Sequence, residues 1–127
     1  MQSHILVIDD DSSVRLAFEL ALEDSGYTVT TAASGEEGIR LFKDNSFHLV
    51  FLDLKMPGMN GIEVLKEIRK VDKDVPIYIV TAFYGEFFSD LKQLVTDGVH
   101  FEVLKKPVGT EEILLLSRSI LEKPTLF

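Results

Sequence analysis

The sequence has no cysteine and no tryptophan, and only four prolines among its 127 residues. Without thiols, disulfides and thiolate metal centres are excluded. No apolar run approaches the ~18 residues of a membrane span. The start, Met1-Gln2-Ser3-His4, lacks the basic region and long apolar core of a signal peptide. Basic residues are also scarce: 13 Lys and Arg face 21 Asp and Glu, a net charge of −8. Such a chain is a poor electrostatic match for nucleic acid, and it shows no basic stripe or zinc-finger spacing. A cytoplasmic protein that contacts neither nucleic acid nor membrane is the expectation. Repeats, low-complexity tracts and linkers are missing too. The length suits one domain, 1–123 with a short tail 124–127, able to bury roughly two thirds of its unfolded surface.

What is present is organised around Val50-Phe51-Leu52-Asp53-Leu54-Lys55-Met56-Pro57-Gly58-Met59-Asn60-Gly61. An apolar run ends in one carboxylate, and a turn rich in Pro and Gly follows. A run bounded in this way suits a buried strand, here His48 to Asp53. Ile5 to Ile8 is a similar run and ends in Asp9-Asp10-Asp11. Tyr27 to Ala32 is a more polar strand, closer to an edge. Pro76 opens a fourth, Ile77 to Thr81, and Val99 to Leu104 gives a fifth.

Helical spacing of apolar residues separates the strands. Val14, Phe18, Ala21 and Leu22 mark the first helix, with Asp11 or Ser12 as its cap and Gly26 at its end. Ser34-Gly35-Glu36-Glu37 fits a capping box for the second, and Asn60-Gly61-Ile62-Glu63 starts the third. An aromatic-rich loop, Phe83 to Phe88, leads into a fourth that runs to about Thr96, with Gly98 after it. The fifth is capped by Thr110 and ended by Pro124. Alternation of this kind implies a parallel sheet with helices on both faces, and right-handed crossovers put all strand carboxyl ends on one rim.

That rim gathers Asp9, Asp10, Asp53, Thr81 and Lys106. Clustered carboxylates resist joint ionisation, a conflict that a divalent cation removes. Mg²⁺ favours one or two carboxylates with waters and a phosphate oxygen. A carboxylate is an accepted nucleophile for phosphoryl transfer, an ammonium offers a point charge to phosphoryl oxygens, and the Thr81 hydroxyl can hydrogen-bond to them. Asp53 is therefore read as a phosphoryl acceptor. His4, His48 and His100 have no ligand spacing.

These residues resemble a response-regulator receiver domain of two-component signalling, like the chemotaxis regulators, over nearly the whole chain. The resemblance is carried by Ile5-Leu6-Val7-Ile8-Asp9-Asp10-Asp11, Asp53 through Gly61, Thr81-Ala82 and Lys106-Pro107. It implies a flavodoxin-like doubly wound α/β fold, five parallel strands in the order 2-1-3-4-5 with five helices. It implies a phosphorylation-dependent switch rather than an enzyme acting on other molecules. Asp53 would accept phosphate from a sensor histidine kinase, a phosphotransfer protein or a small phosphodonor, and later lose it by autodephosphorylation. Asp9, Asp10, Asp53 and the backbone carbonyl of Lys55 would hold Mg²⁺. Thr81 would be the switch hydroxyl, and Lys106, before a cis bond to Pro107, would contact the phosphoryl group in preference to Lys105. An unknown effector or a second copy would dock on the face of the fourth helix, fifth strand and fifth helix.

The resemblance has departures. The family's switch aromatic stands three residues before the lysine, where this chain has Val103; Phe101 lies one pleat away on the same face. Phe83 and Lys55, two residues past Thr81 and Asp53, hold positions that influence phosphoryl lifetime in the family, and bulky Phe83 is expected to shield the acyl phosphate. Asp9-Asp10-Asp11-Ser12-Ser13 also resembles the nucleophile motif of haloacid-dehalogenase phosphatases, with Asp9 as nucleophile and Asp11 as acid/base. Position 13 is Ser, however, and no acidic pair follows the lysine. A docking module without phosphorylation would leave the intact acids, Thr81 and Lys106 unused.

Overall fold

The computed structural model describes residues 3–122. Five strands, β1 (His4–Ile8), β2 (Thr28–Ala32), β3 (Leu49–Leu52), β4 (Ile77–Thr81) and β5 (Glu102–Lys105), form one parallel sheet in the order β2-β1-β3-β4-β5. They alternate with α1 (Ser12–Asp24), α2 (Gly35–Asp44), α3 (Gly61–Val71), α4 (Phe88–Thr96) and α5 (Thr110–Leu121). This is the expected flavodoxin-like architecture, with β2 on an edge. Pro124 and the tail 124–127 lie outside the described residues.

Side-chain alternation along the strands splits the core into two layers. Leu6, Ile8, Val50, Leu52, Ile77 and Ile79 meet Phe42, Leu65 and Leu91 from α2, α3 and α4. Ile5, Val7, Leu49, Phe51 and Val80 meet Phe18, Leu22 and Ile113 from α1 and α5. Both faces are covered, which is why the central strands read as unbroken apolar runs.

Helix starts follow local chemistry. Asp11 caps α1, its carboxylate accepting from Ser13 N at 2.8 Å. At α3 the capping box is complete: Asn60 Oδ1 accepts from Glu63 N at 3.0 Å, and Glu63 Oε1 accepts from Asn60 N at 3.2 Å. At α2 Ser34 accepts from Glu37 N, but the Glu37 carboxylate reaches one residue further back, to Ala33 N at 2.7 Å. Gly26 and Gly98, with φ of 93° and 80°, turn the chain after α1 and α4.

Three boundaries differ from expectation. The α5 cap is Gly109, not Thr110, and Glu112 Oε1 accepts from Gly109 N. Strand β2 begins at Thr28 because Tyr27 N bonds back to Leu22 O and closes α1. Strand β5 begins at Glu102 rather than Val99: Val99 N bonds back to Leu94 O, and the Arg69 guanidinium donates twice to His100 O, at 2.8 and 3.2 Å. Those groups are spent before the strand can pair. For β3 the regular span is Leu49–Leu52, although His48 N and Asp53 N still bond to His4 O and Ile8 O.

Candidate functional site

Backbone hydrogen bonds fix the rim before any side chain is considered. Asp9 N donates to Ala32 O at 3.1 Å, Asp53 N to Ile8 O at 2.9 Å, and Lys106 N to Thr81 O at 2.9 Å. The residues following β1, β3 and β5 are thereby held beside neighbouring strands, with their side chains over the carboxyl ends of the sheet. A further bond, Gly61 N to Leu54 O at 2.8 Å, ties the start of α3 to the turn after Asp53.

Asp9, Asp53 and Thr81 are buried, while Asp10 is exposed. One carboxylate oxygen from each of Asp9, Asp10 and Asp53 lies within 4.8 Å of the others. Lys106 Nζ meets Asp9 Oδ2 at 2.9 Å and Asp53 Oδ2 at 3.6 Å. Asp9 Oδ1 accepts from Asp11 N, and Asp53 Oδ1 accepts from Leu54 N at 2.8 Å. The Thr81 hydroxyl accepts from Phe83 N at 2.9 Å. The Lys106–Pro107 bond is cis.

The cluster brings more negative than positive charge into a small, partly dry volume. Burial first, and then the charge of Asp9, push the Asp53 carboxyl up to about 6; Lys106 and the Leu54 N–H oppose this, and Asp10 adds to it. For Lys106, burial alone would lower the pKa, but the hydrogen bond to Asp9 and the charges of Asp53 and Asp9 overcome it and hold the ammonium above its usual range.

The Asp53 shift has a consequence for stability. Its folded pKa lies above the unfolded 3.8, so stability falls as pH rises from about 4 through about 6. Two pKa units correspond to about 3 kcal/mol. In metal-free buffer at pH 7.5 Asp53→Asn should therefore unfold at higher urea than the parent, by about 1–3 kcal/mol once the weakened Lys106 contact is allowed for. The advantage should shrink as pH falls through about 6 to about 4, where the folded carboxyl is protonated, and vanish below 3.8, where the unfolded one is protonated too. Equal stabilities at pH 7.5 would contradict the shift.

The donor set fits a hard divalent cation. Three carboxylates offer oxygens on one small volume, of which Mg²⁺ needs one or two, and among the described residues no nitrogen or sulfur ligand joins the cluster. Of the expected site residues, Asp9, Asp10, Asp53 and Lys106 come together, and Thr81 lies beside Lys106 through the backbone bond above. The Lys55 Nζ meets Glu86 Oε1 at 3.1 Å and lies 4.4 Å from the centre of the Phe83 ring. Asp11 caps α1, its Oδ1 accepting from Ser13 N at 2.8 Å. Two residues were not anticipated: Arg15, whose guanidinium donates to Asp9 O at 2.8 Å, and Glu86.

A model of the response regulator receiver domain matches residues 5–117. The chain belongs to this family. As a receiver domain of two-component signalling it has relatives in both sequence and structure. It is 32% identical over 122 residues to the uncharacterized transcriptional regulatory protein YkoG of Bacillus subtilis, covering 96% of this chain and 52% of that protein. The receiver domain thus spans about half the length of the first curated relatives it matches. The CheY-like receiver domain protein of Methanospirillum hungatei superposes with a TM-score of 0.85 at 26% identity, covering 94% of this chain and 93% of that one. The response regulator TrrA of Thermotoga maritima, crystallised with Mg²⁺ and BeF, superposes at 0.79 with 36% identity, covering 94% and 100%. The haloacid-dehalogenase alternative is set aside by these matches. Among the described residues no helix is long and apolar enough to cross a membrane.

Proposed function

We propose that the chain is a phosphorylation-dependent switch in which Asp53 accepts a phosphoryl group from the phosphohistidine of a sensor histidine kinase or phosphotransfer protein, or from a small phosphodonor. The observation that carries this is a buried Asp53 beside two further acids, with Lys106 Nζ reaching both Asp9 and Asp53. An Asp53 oxygen attacks phosphorus, the bond from phosphorus to the donor nitrogen breaks, and its electron pair stays on the imidazole. Asp9, Asp10, Asp53 and the Lys55 carbonyl would hold Mg²⁺, whose charge would offset that of the phosphoryl group and favour in-line alignment.

The protein groups divide the remaining work. Lys106 is placed to exchange its contact with Asp53 for a phosphoryl oxygen. Arg15 holds the Asp9 backbone and so fixes its carboxylate. Thr81 offers a hydroxyl, and its present bond to Phe83 N links that hydroxyl to the loop before α4. Movement of Thr81 towards the phosphoryl group would disturb this loop, which begins the face formed by α4, β5 and α5. There Phe87 is buried but Phe88 and Val95 are exposed, and Tyr84, Phe101 and Val103 line an apolar groove with them. Contiguous exposed apolar surface of this kind marks interfaces; an effector or a second copy of the chain would dock here. On the other side, Ser13, Leu16, Ala17 and Leu20 are exposed along one stripe of α1, at spacings that fit a helix of the phosphodonor. The net charge of −8 opposes contact with nucleic acid by this domain. The chemistry is self-directed, and a cytoplasmic location beside a sensor kinase is part of this reading.

Intact mass after incubation with acetyl phosphate and Mg²⁺ tests the reading. The parent should gain one phosphoryl group, chelation should prevent the gain, and Asp53→Asn should show none. If the parent gains nothing and also fails to bind beryllofluoride, the switch gives way to a docking module.

A further inference from the structure

We infer that Asn60 is a deamidation site which the fold guards, and that its isoaspartyl product disarms the acceptor. The modification needs no enzyme and does not depend on what Asp53 does. The loss of function rests on Asp53 being the acceptor.

Asn60 is followed by Gly61, and glycine, lacking a side chain, leaves its backbone nitrogen unhindered and its chain free to rotate. In an open chain Gly61 N attacks the Asn60 side-chain carbon Cγ. The bond from Gly61 N to Cγ forms, the bond from Cγ to Nδ2 breaks, and the proton from Gly61 N leaves with Nδ2 as ammonia. Water then opens the cyclic imide. Attack at one carbonyl gives an ordinary aspartate. Attack at the other gives an isoaspartate, in which the main chain runs through Cγ and is one carbon longer. Water is the sole co-reactant.

Three hydrogen bonds oppose the first step. Gly61 N donates to Leu54 O at 2.8 Å, so the nucleophile is engaged. Asn60 Oδ1 accepts from Glu63 N at 3.0 Å, and Asn60 N donates to Glu63 Oε1 at 3.2 Å, so the amide and the backbone are both held. The Asn60 backbone is extended, with φ −84° and ψ 172°, and ring closure needs rotation about ψ. Each hydrogen bond shifts an opening equilibrium by about two- to tenfold. Together they support a slowing of at least about tenfold, with ageing routed through local opening of the turn.

The product matters because the turn has no spare room. A Cβ on Gly61 would already lie 2.3 Å from the Asp53 carbonyl oxygen. An extra main-chain carbon one residue earlier drives Gly61 against the backbone that aims the Asp53 carboxylate. An opening of the turn after β3 is thereby recorded covalently beside the acceptor.

The test ages the full chain in mildly alkaline buffer, native and in urea, and reads position 60 by peptide mapping for aspartate and isoaspartate. The native chain should lose Asn60 at least about tenfold more slowly than the chain in urea. Glu63→Ala, which removes the bond to Asn60 N, should age about two- to tenfold faster than the parent when native and equally fast in urea. After refolding, uptake of label from acetyl phosphate and Mg²⁺ should fall in step with isoaspartate content, and a protein-isoaspartate methyltransferase with its methyl donor should restore it. Asn60→Asp, with the carboxylate but the ordinary backbone, should take up label within about twofold of the parent, since aspartate and asparagine cap alike. Equal ageing in the native chain and in urea, or native Glu63→Ala ageing no faster than the parent, overturns the guard. Isoaspartyl chains that take up label as the parent does overturn the disarming. Absence of label in the unmodified parent overturns the acceptor assignment and the disarming with it, and leaves the guard to stand or fall on the ageing rates.

Discussion

Replacing Gly61 by alanine should both unfold the domain more easily and displace the acceptor. A Cβ at Gly61 would lie 2.3 Å from the Asp53 carbonyl oxygen, 2.8 Å from Leu54 Cα and 3.0 Å from the Asp53 carbonyl carbon. All three are backbone atoms of the residues that aim the carboxylate, and no rotamer change relieves the contact. Alanine would gain about 1 kcal/mol of helix propensity over glycine at the start of α3. Overpacking typically costs about 1–3 kcal/mol and more where backbone must move, so the steric term wins. A net loss of about 2–3 kcal/mol is expected by urea unfolding. Phosphoryl uptake at a temperature where the variant stays folded should fall at least tenfold, because a shift of about 1 Å in a reacting group costs about 100-fold. Gly85→Ala is the control: nothing lies within 4 Å of its added carbon, and its stability should stay within about 0.5 kcal/mol of the parent. Parent-like uptake in Gly61→Ala would refute the claim that this glycine positions Asp53.

The second large effect is expected from Lys106→Met, which keeps the aliphatic stem and removes the charge. Asp9 and Asp53, only 3% and 5% exposed, would then face each other without their shared cation. Removing one partner of a buried pair costs about 3–5 kcal/mol. Here the cost is reduced, since the Lys106 side chain is 21% exposed and one acid can take up a proton. A loss of about 2 kcal/mol at pH 7.5 in metal-free buffer is expected, shrinking towards pH 4 as Asp53 protonates. Mg²⁺ should recover more stability in the variant than in the parent. Uptake from acetyl phosphate should slow about 10- to 100-fold, the value of one hydrogen bond to a charged group. Lys105 offers the contrast. It is exposed, with its ammonium 4.7 Å from the centre of the Tyr84 ring, and Lys105→Met should leave uptake unchanged. If the two variants behave alike, the roles given to the neighbouring lysines are wrong.

These expectations show which parts of the molecule could be read from the chain. Features set by a few adjacent residues were legible: the apolar runs of β1, β3 and β4, the Asp11 and Asn60 caps, and the glycines after α1 and α4. The gathering of Asp9, Asp10, Asp53 and Lys106 followed from alternation alone, because parallel strands with right-handed crossovers leave their carboxyl ends nowhere else to go. Long-range contacts were not legible. The start of β5 is decided by Arg69, 31 positions before the carbonyl it captures. Lys55 and Glu86 are equally far apart in sequence, and an exposed lysine and glutamate carry no signal that they meet. Arg15 looked like a polar residue on a helix face, while its guanidinium reaches back to the Asp9 backbone. Gly61 was read as part of a helix start; its closeness to the Asp53 carbonyl depends on how α3 docks, which only the packed fold determines.

The central claim is that Asp53 carries the phosphoryl group, and chemical trapping tests it most directly. The parent is phosphorylated with acetyl phosphate and Mg²⁺, reduced with borohydride and digested. Borohydride converts an aspartyl phosphate to homoserine, which tandem mass spectrometry locates by residue. Homoserine at position 53, and absent when Mg²⁺ is chelated, is the predicted result. Homoserine at position 9, 10 or 11 with position 53 unchanged would contradict the account and return the acceptor to the acids that follow β1.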